Sequence, residues 1–590
     1  MGKTLKNKLN LLILFFVASC IPLVVKLNLV DVNIEEATLI RNSLKIADVF
    51  SYSKSHLIIL SSALIVIVYI IYFFTTSEKI NFACVKKPIF FLPALFLFFV
   101  FLSTIFSDYK LSSFYGISER YEGMFVIISY IIFFAATINC VKTEGSLKFI
   151  FYALLTSALL IFLIGISQFY GHDFLVSSLG KKILLLGFEN KQVNINPIFD
   201  TAYSTLYNPN CLGLYCAMIF PVILAMAFFF EKKTIERYLS LICALLAIIN
   251  LFASNSTGAL MGIISSIIFA FAILIIHIFK NKTYLKKFLF FTLVSIILCV
   301  AAIFFTPLKN KFSNMLAKFT QDTSNIVFTD LTMTPNSTQI FYKNGKIKLE
   351  YIDNKINLYE NENLLFPSAT HEENNNDSQK LIYDYTSKNI DDLQVTIESE
   401  KMVTLKLKNT IFLFGLANDK LYLLSNKGNI IDINKPIEHF GFDGYERIAS
   451  SRGYIWSRSF PLIKKSILIG SGPDTFVFDF PQNDIVGKLK FHASPYIIID
   501  KPHNFYLQTI INTGLVSLLI LLALFGYYFY TTIKFIMAKN KFSILQLGFT
   551  SGIFGYLVSS LATDSVVSVA PVFWIILGLS FAINFFKESV

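Results

Sequence analysis

The sequence predicts an all-α polytopic membrane protein of about twelve transmembrane helices, with a small extracytoplasmic β domain inserted between spans nine and ten. The first observation is composition: 54% of the 590 residues are hydrophobic and only 15% are charged, whereas a soluble domain carries about 25% charged residues. The second is that long apolar segments recur along the chain, and the third is a polar stretch at 307–503 that interrupts them. A water-soluble enzyme, a disordered chain and a disulfide-stapled scaffold are excluded.

Each predicted span is an apolar segment close to the length of about 20 residues that crosses the hydrocarbon core of a bilayer. The predicted spans are 9–25, 56–75, 88–106, 123–140, 148–170, 209–230, 237–254, 258–279, 287–306, 510–533, 543–562 and 568–586. The resulting domain organisation is a membrane region at 1–306 with spans one to nine, a linker at 307–324, a β-rich insertion at 325–440, an extracytoplasmic loop at 441–508, and a membrane region at 509–590 with the last three spans.

Basic residues indicate the side of the membrane on which each connection lies. Lysine and arginine concentrate in short alternate connections, and the connections between these are longer and mixed in sign. Because cytoplasmic loops are enriched in these residues, both termini are expected in the cytoplasm and the insertion outside the cytoplasmic membrane. The net charge of +12 follows from this bias, so no nucleic-acid partner is expected. The run VASC at 17–20 resembles a lipoprotein cleavage site, but the apolar residues continue to Val25 and favour an uncleaved first span.

The insertion at 325–440 contains short alternating or β-branched runs, which predict strands. It is interpreted either as a glycan-binding domain or, more simply, as a spacer or lid. The runs are 339–342, 346–352, 355–359, 393–398, 402–407, 410–416 and 421–424.

Four residues near the predicted outer surface are candidates for chemistry. His503, one of seven histidines, lies at the outer mouth of span ten. A neutral imidazole there could take a proton from an attacking hydroxyl near neutral pH, and the alternative is a capping or interfacial histidine. Arg120, Arg452 and Arg458 lie in outward loops. Guanidinium groups bind phosphate oxygens through paired donors, and the alternative is an arginine in contact with solvent or lipid headgroups.

Four further polar residues complete the candidate substrate-binding set. Asn208 and Asn210 flank the proline that opens span six, where helix capping is the favoured role. Asp474 follows a Gly-Ser-Gly-Pro run, and Asn504 directly follows His503. The outward aspartates have no spacing diagnostic of a metal site. The sequence contains no P-loop, HExxH, dinucleotide fingerprint or GxSxG motif, and neither a metal nor another cofactor is expected.

Three stretches carry the most distinctive motifs. They are 204–221 (STLYNPNCLGLYCAMIFP), 451–484 (SRGYIWSRSFPLIKKSILIGSGPDTFVFDFPQND) and 501–514 (KPHNFYLQTIINTG), the last of which has the form His-x-x-x-Leu…Gly. With these stretches the chain resembles the O-antigen ligase and O-antigen polymerase superfamily, over its whole length except the β insertion. The segment 116–125 (GISERYEGMF) is similar to an outward segment of some members. The resemblance implies a polytopic glycosyltransferase that moves a glycan from an undecaprenyl diphosphate donor to an acceptor hydroxyl, with inversion and without a metal.

The resemblance also implies roles for individual residues. His503 would be the base that activates the acceptor, and Arg452 would bind the donor diphosphate from the large loop, which is therefore the predicted catalytic loop. Many members have Ser-Arg-Gly-Ala at the turn before span eight, whereas Thr257 stands at the arginine position here. Either Arg120 or Arg458 supplies the missing charge, or diphosphate binding is weakened.

The expected partners are the lipid-linked donor, a glycan, wall polymer or protein acceptor, and membrane lipid. Polymerase and ligase activities are not separated by the sequence, although richness in Lys, Asn, Ile and Phe is typical of an AT-rich genome and favours polymerisation or attachment to wall polymer. A lipid-linked oligosaccharide flippase or other polytopic transporter is the alternative, disfavoured by the few acidic residues inside the spans. A non-enzymatic sensor is disfavoured because an anchor does not need twelve spans.

Overall fold

The computed structural model is predominantly helical, with a β region at 328–423. It describes residues 2–41, 43–76, 87–186, 201–230, 234–280, 327–353, 355–375, 378–398, 401–417, 420–538 and 543–585. The predicted ninth span at 287–306 and the predicted linker at 307–324 lie outside the described residues.

Eight helices in the described part of the chain are long and apolar enough to cross a membrane, and three further apolar helices are shorter. The eight are α1 (Lys3–Ser19, extended by a 3-10 turn to Leu23), α3 (Tyr52–Thr75), α4 (Pro88–Ile105), α7 (Glu144–Phe169), α9 (Pro209–Phe229), α10 (Ile235–Ala253), α11 (Thr257–Lys280) and α16 (Leu515–Met537). The shorter helices are α6 (Met124–Cys140), α17 (Ser543–Ser559) and α18 (Ala570–Ile583). Every predicted span other than the ninth therefore coincides with a helix, and the total of twelve stays a prediction.

Shorter elements lie between these helices. Two strands, β1 (Asn28–Asp31) and β2 (Lys45–Asp48), pair antiparallel before α3 and enclose α2 (Ile34–Leu39). The other short helices are α5 (Lys110–Tyr115), α8 (Ser178–Leu184), α12 (Ile448–Ser459), α13 (Phe476–Asp479), α14 (Ile485–His492) and α15 (Phe505–Thr513).

The predicted tenth span at 510–533 is wrong in one respect, because it is not a single helix. The helix breaks at Gly514, which has φ of +101° and separates α15 from α16. The segment that contains Ser466 and Leu468 runs beside this break, and the Leu515 N–H donates to the Ser466 carbonyl at 2.9 Å. A Cβ at Gly514 would lie 2.6 Å from the Leu468 carbonyl oxygen, so both the positive φ and the close approach require glycine. The break separates α15 from the long helix α16.

Helix α9 is the centre of the bundle, and almost its whole length is buried against α10, α11 and α17. Glycines on α17 allow its backbone to approach α9 closely. A Cβ at Gly552 would lie 2.4 Å from the Met218 carbonyl oxygen, and one at Gly548 would lie 2.2 Å from the Ala225 Cβ. Small residues at such contacts are the usual means of close helix packing in membranes.

The β region consists of two antiparallel sheets in which each strand pairs with its neighbours in sequence. The first sheet contains β3 (Phe328–Thr334), β4 (Ser337–Tyr342), β5 (Gly345–Ile352), β6 (Lys355–Glu360) and β7 (Asn363–Leu365). The second contains β8 (Pro367–Asn375), β9 (Ser378–Tyr385), β10 (Leu393–Glu398), β11 (Met402–Leu407), β12 (Thr410–Ala417) and β13 (Lys420–Leu423). All seven runs predicted as strands are strands or overlap one.

Both sheets bury their apolar side chains in one shared core. The rings of Phe328 and Phe412, one from each sheet, meet edge to face at 6.2 Å. Ile485 and Leu489 of α14 belong to the same core, so the β region packs directly on the loop that leads to His503. The insertion is thus fixed to this loop through α14.

We expect Gly552→Ala to destabilise the protein by about 1–3 kcal/mol, because the added methyl group overpacks the contact between α17 and the α9 backbone. The measurement is the thermal unfolding midpoint of the purified protein in detergent. Gly526→Ala on α16 is the matched control, because no atom lies within 4 Å of a Cβ at that position. Equal midpoints for the two variants would contradict the packing argument.

Candidate active site

Four connecting segments meet at one end of the bundle, where α6, α15 and α18 begin and α17 ends. Ion pairs and hydrogen bonds join these segments, which are far apart in sequence. We call the charged residues that meet there the charged cluster: Arg120, Glu122, Arg452, Asp474, Asp500, Lys501, His503 and Asp564.

Asp474 fixes the segment that carries Arg120. One carboxylate oxygen, Oδ1, accepts a hydrogen bond from Arg120 Nε at 2.5 Å. The other, Oδ2, accepts from the backbone N–H groups of Ile117 at 3.0 Å and Glu122 at 3.3 Å. Asp474 itself has φ of +61° and directly follows the positive-φ Gly472 and a proline. The terminal nitrogens of Arg120, Nη1 and Nη2, are buried and have no hydrogen-bond partner within the described residues.

Glu122 lies behind Arg120, with its Oε2 at 3.8 Å from Arg120 Nη2. Its Oε1 accepts hydrogen bonds from the Tyr130 hydroxyl at 2.9 Å and the Ser565 hydroxyl at 2.6 Å. Burial raises the pKa of the Glu122 carboxyl to about 7, although Arg120 and these hydroxyls oppose the shift. The charge of this carboxyl therefore changes near neutral pH.

His503 and Asp564 form a pair at the outer edge of the cluster. His503 Nδ1 lies 3.3 Å from Asp564 Oδ2, and the histidine side chain is 32% exposed while that of Asp564 is 3% exposed. Oδ1 of Asp564 accepts a hydrogen bond from the Asn504 backbone N–H at 3.1 Å. With Nδ1 donating to Asp564, Nε2 of the neutral imidazole is the nitrogen that can accept a proton.

Positive charges around Asp564 keep it ionised. Burial by itself would raise the pKa of this carboxyl, but the hydrogen bond and charge of His503, together with the charges of Arg120 and Lys501, outweigh burial and hold the pKa at about 2. Arg452 interacts electrostatically with the same carboxylate: burial lowers the pKa of its guanidinium, and the charge of Asp564 opposes this shift.

Lys501 is a buried cation on the same loop as His503. Its ammonium lies 3.5 Å from Asp500 Oδ2 and 5.4 Å from the ring centroid of Tyr207. Burial opposes charge on both members of this pair; Lys501 and Arg120 nevertheless keep the pKa of Asp500 below its usual value, and Asp500 keeps that of Lys501 above its own. The two opposite charges therefore keep each other ionised, although Lys501 is buried and Asp500 is only partly exposed.

Two candidates from the sequence have local structural partners instead. Arg458 Nε donates to Asp484 Oδ2 at 3.0 Å, and its guanidinium lies 4.8 Å from the ring centroid of Tyr454. None of its recorded partners belongs to the charged cluster. Asn208 caps α9 by accepting from the Cys211 N–H at 3.0 Å, as the capping role predicted.

The remaining candidates, like Thr257, lie at the starts of helices. Asn504 caps α15 by accepting from the Leu507 N–H at 3.0 Å. Asn210 is half-buried in the first turn of α9. Thr257 is the first residue of α11. Of the two arginines expected to substitute for the missing one at this turn, the structure brings Arg120 into the charged cluster and pairs Arg458 with Asp484 elsewhere.

Asp564, Asp500, Lys501 and Glu122 are cluster members that the sequence interpretation missed. For Asp564 a signal was present, because it is the only acidic residue in 543–585, at the turn between the last two predicted spans. Glu122 lies in the segment 116–125 that supports the resemblance. Among the described residues no group of three or more His, Cys, Asp or Glu side chains has the arrangement of a metal site.

A family model described as O-antigen ligase matches residues 408–522. The matched part begins at the turn before β12, contains Arg452, Asp474 and His503, and ends in α16. This finding confirms the resemblance to the O-antigen ligase superfamily, and it supports glycan transfer at the level of the family. No curated protein and no solved structure was found to match the chain.

We expect the stability of the protein to depend on the charge of Asp564. The pKa of this carboxyl falls on folding from an ordinary 3.8 to about 2, so its ionised form stabilises the fold by about 2 kcal/mol above pH 4, and this contribution is lost as the pH falls toward 2. The difference in unfolding midpoint between wild type and Asp564→Asn should be full at pH 6 and shrink between pH 4 and pH 3. Asp391→Asn, at an exposed position in the β region, is the control. A pH-independent difference would contradict this electrostatic role.

Proposed function

We propose that this protein is a membrane glycosyltransferase that moves a glycan from an undecaprenyl diphosphate donor to an acceptor hydroxyl on the outer face of the cytoplasmic membrane. The observation that carries the proposal is the pairing of a partly exposed His503 with a buried Asp564, beside the guanidinium groups of Arg120 and Arg452. The family match at 408–522 supports the reaction class. In this proposal both termini lie in the cytoplasm and the β region lies outside.

The first step of the proposed reaction is activation of the acceptor. Asp564 accepts a hydrogen bond from Nδ1–H of His503 and so holds the imidazole in the tautomer whose Nε2 is basic. Nε2 takes the proton of the acceptor hydroxyl while its oxygen attacks the anomeric carbon of the donor sugar. The bond between that carbon and the diphosphate oxygen breaks, and the lipid diphosphate leaves with the electron pair. Attack opposite to the leaving group inverts the anomeric configuration.

The second requirement is stabilisation of the negative charge that develops on the leaving diphosphate. Arg452 is suited to this role because Asp564, the one charge that opposes the effect of its burial, also interacts with Arg120 and Lys501. Arg120 is suited to it because its two terminal nitrogens have no hydrogen-bond partner among the described residues. Arg120 would thereby supply the positive charge that many family members have from an arginine at the position of Thr257.

The other candidates have supporting roles in this proposal. Asp474 positions Arg120, and Asn504 caps the helix that follows His503. Arg458 and Asn208 stabilise α12 and α9 through the contacts described above, and Asn210 remains a predicted substrate contact. The proposed reaction uses neither a metal nor another cofactor, since cleavage of the bond between the donor sugar and the diphosphate supplies the free energy.

We expect His503→Ala to lower glycan transfer by about 10²- to 10⁴-fold, because the acceptor loses its general base. The measurement is the length of the lipid-linked glycan that accumulates in cells whose only copy of the protein carries the variant. Single repeat units outside the membrane indicate a polymerase, and long lipid-linked chains indicate a ligase.

His439→Ala is the matched control, because His439 is exposed and pairs with Asp443 outside the charged cluster. Normal transfer by His503→Ala would overturn the assignment of the base. Units trapped on the cytoplasmic face would favour the transporter instead.

We expect Arg452→Lys to lower the rate of transfer about 10²-fold, because lysine keeps the charge and loses the paired donors that match a diphosphate. The rate constant kcat measured with purified protein is the readout. Arg458→Lys is the control, since the Arg458 side chain pairs with Asp484. This variant should lower the unfolding midpoint and change kcat little. An equal loss of kcat in both variants would show that Arg452 has no special role.

A further inference from the structure

A cavity that the proposed reaction does not use lies between the end of the β region and the loop that carries the candidate site. Its volume is about 340 Å³, within the range of about 300–1,000 Å³ that is typical of small-molecule sites. Residues of four segments line it: 39–40 at the end of α2, 425–435 after β13, 482–488 at the start of α14, and 495–498. None of these residues belongs to the charged cluster.

Two lysine side chains line this cavity, and both are held by carbonyl oxygens. Lys488 is only 3% exposed, and its Nζ donates to the Gln482 backbone carbonyl at 2.7 Å and to Gln482 Oε1 at 3.1 Å. Lys427 Nζ donates to the Ala37 carbonyl at 2.6 Å. Neither ammonium forms an ion pair within the described part of the chain. Since an ammonium has three N–H donors, each keeps at least one for a ligand.

The lining carries an excess of positive charge. Lys435 is a third cation, and Asp432 is the one carboxylate among the described residues that line the cavity. Three lysines and one aspartate give a formal charge of +2. Burial lowers the pKa of Lys488 to about 8, although the charge of Asp484 opposes the shift, and it also lowers the pKa of Lys427. A negatively charged ligand would compensate the unfavourable burial of these cations.

The rest of the lining suits a sugar ring better than a small inorganic anion. The side-chain amides of Asn429 and Asn483 line the cavity and have no hydrogen-bond partner among the described residues. Each amide offers both donors and an acceptor, the combination that pairs with neighbouring sugar hydroxyls. Ile430, which is 63% exposed, and Pro495 provide apolar surface against which the C–H groups of a ring can pack. A small anion would leave these groups unused.

We infer that this cavity binds an acidic sugar unit of a glycan, with the carboxylate of the sugar at Lys427 and Lys488 and its ring against Ile430 and Pro495. The charge and the ring are argued from the lining alone. The choice of a glycan as their source rests on the proposed function, because a glycan is the molecule that the proposed reaction moves.

The cavity is connected to the loop of His503 through Gln482. Gln482 Nε2 donates to the Ile499 carbonyl at 2.8 Å, and Gln482 Oε1 accepts from the Ile499 N–H at 3.2 Å. The same Oε1 accepts from Lys488 Nζ. A sugar bound at Lys488 would therefore stabilise the segment that leads to His503.

The experiment is a binding titration of the full-length purified protein in neutral detergent, followed by ligand-observed NMR. The probes are glucuronic acid, glucose as the ring without the charge, and acetate as the charge without the ring. We expect glucuronic acid to bind at least about fivefold more tightly than either. The variant Lys427→Gln/Lys488→Gln should lose the preference for glucuronic acid over glucose. The control Lys388→Gln/Lys420→Gln removes two exposed lysines of the β region and should keep it.

A second variant fills the cavity without removing a charge. Ile430→Trp should weaken binding of both sugars, whereas Ile411→Trp, at a 45% exposed position on β12 that does not line the cavity, should change neither. Equal affinity of glucuronic acid and acetate would reduce the cavity to an anion site and overturn the inference. Equal affinity for the two sugars, or unchanged binding by Ile430→Trp, would also overturn it.

The binding titration distinguishes failure of this inference from failure of the proposed function. His503→Ala should bind glucuronic acid as the wild type does, because His503 does not line the cavity. Absence of binding in a protein whose glycan transfer depends on His503 would overturn this inference and leave the proposed function intact. Binding with the expected preference in a protein without transfer activity would support the cavity as a sugar site and contradict the proposed function.

Discussion

The organisation of the end of the bundle that carries the charged cluster depends on the cost of burying charge. Removing an ion from water costs several kcal/mol unless an opposite charge and hydrogen bonds replace the water. Arg120, Asp474 and Asp564 are all nearly inaccessible, so each must find its partner for the chain to fold. Asp474 satisfies Arg120 and two backbone N–H groups at once, and Asp564 satisfies His503 and the Asn504 N–H. Pairing of charge thereby fixes where four loops meet.

The pattern of neighbouring residues in the sequence was enough to predict most of the secondary structure. It predicted only some of the residues of the candidate site. Apolar length located the helices, and alternation located the strands, because both are properties of neighbouring residues. The break at Gly514 could not be predicted in this way, since it depends on the carbonyl of Leu468 in another segment. His503 was found through a compact motif. Asp564 was missed because its role arises from a contact across 61 positions, and the ion pair of Arg120 with Asp474 spans 354 positions.

The β region is in direct contact with the loop that carries the candidate site. Two residues of α14 complete its core, and Asp484, which precedes that helix, holds Arg458 of α12. Helix α12 also carries Arg452. A rotation of the sheets would therefore expose apolar side chains and disturb the helix that carries the proposed diphosphate ligand. This arrangement gives the insertion a way to influence the site without contacting substrate.

The pairing of His503 with Asp564 also depends on the order in which the chain is synthesised. His503 precedes α15, whereas Asp564 lies in the turn between the last two helices. His503 and the helix that follows it are therefore translated before Asp564. The pair can form only after α17 and the turn that follows it have been made. A chain truncated before that turn would keep the histidine and lack the carboxylate that contacts it.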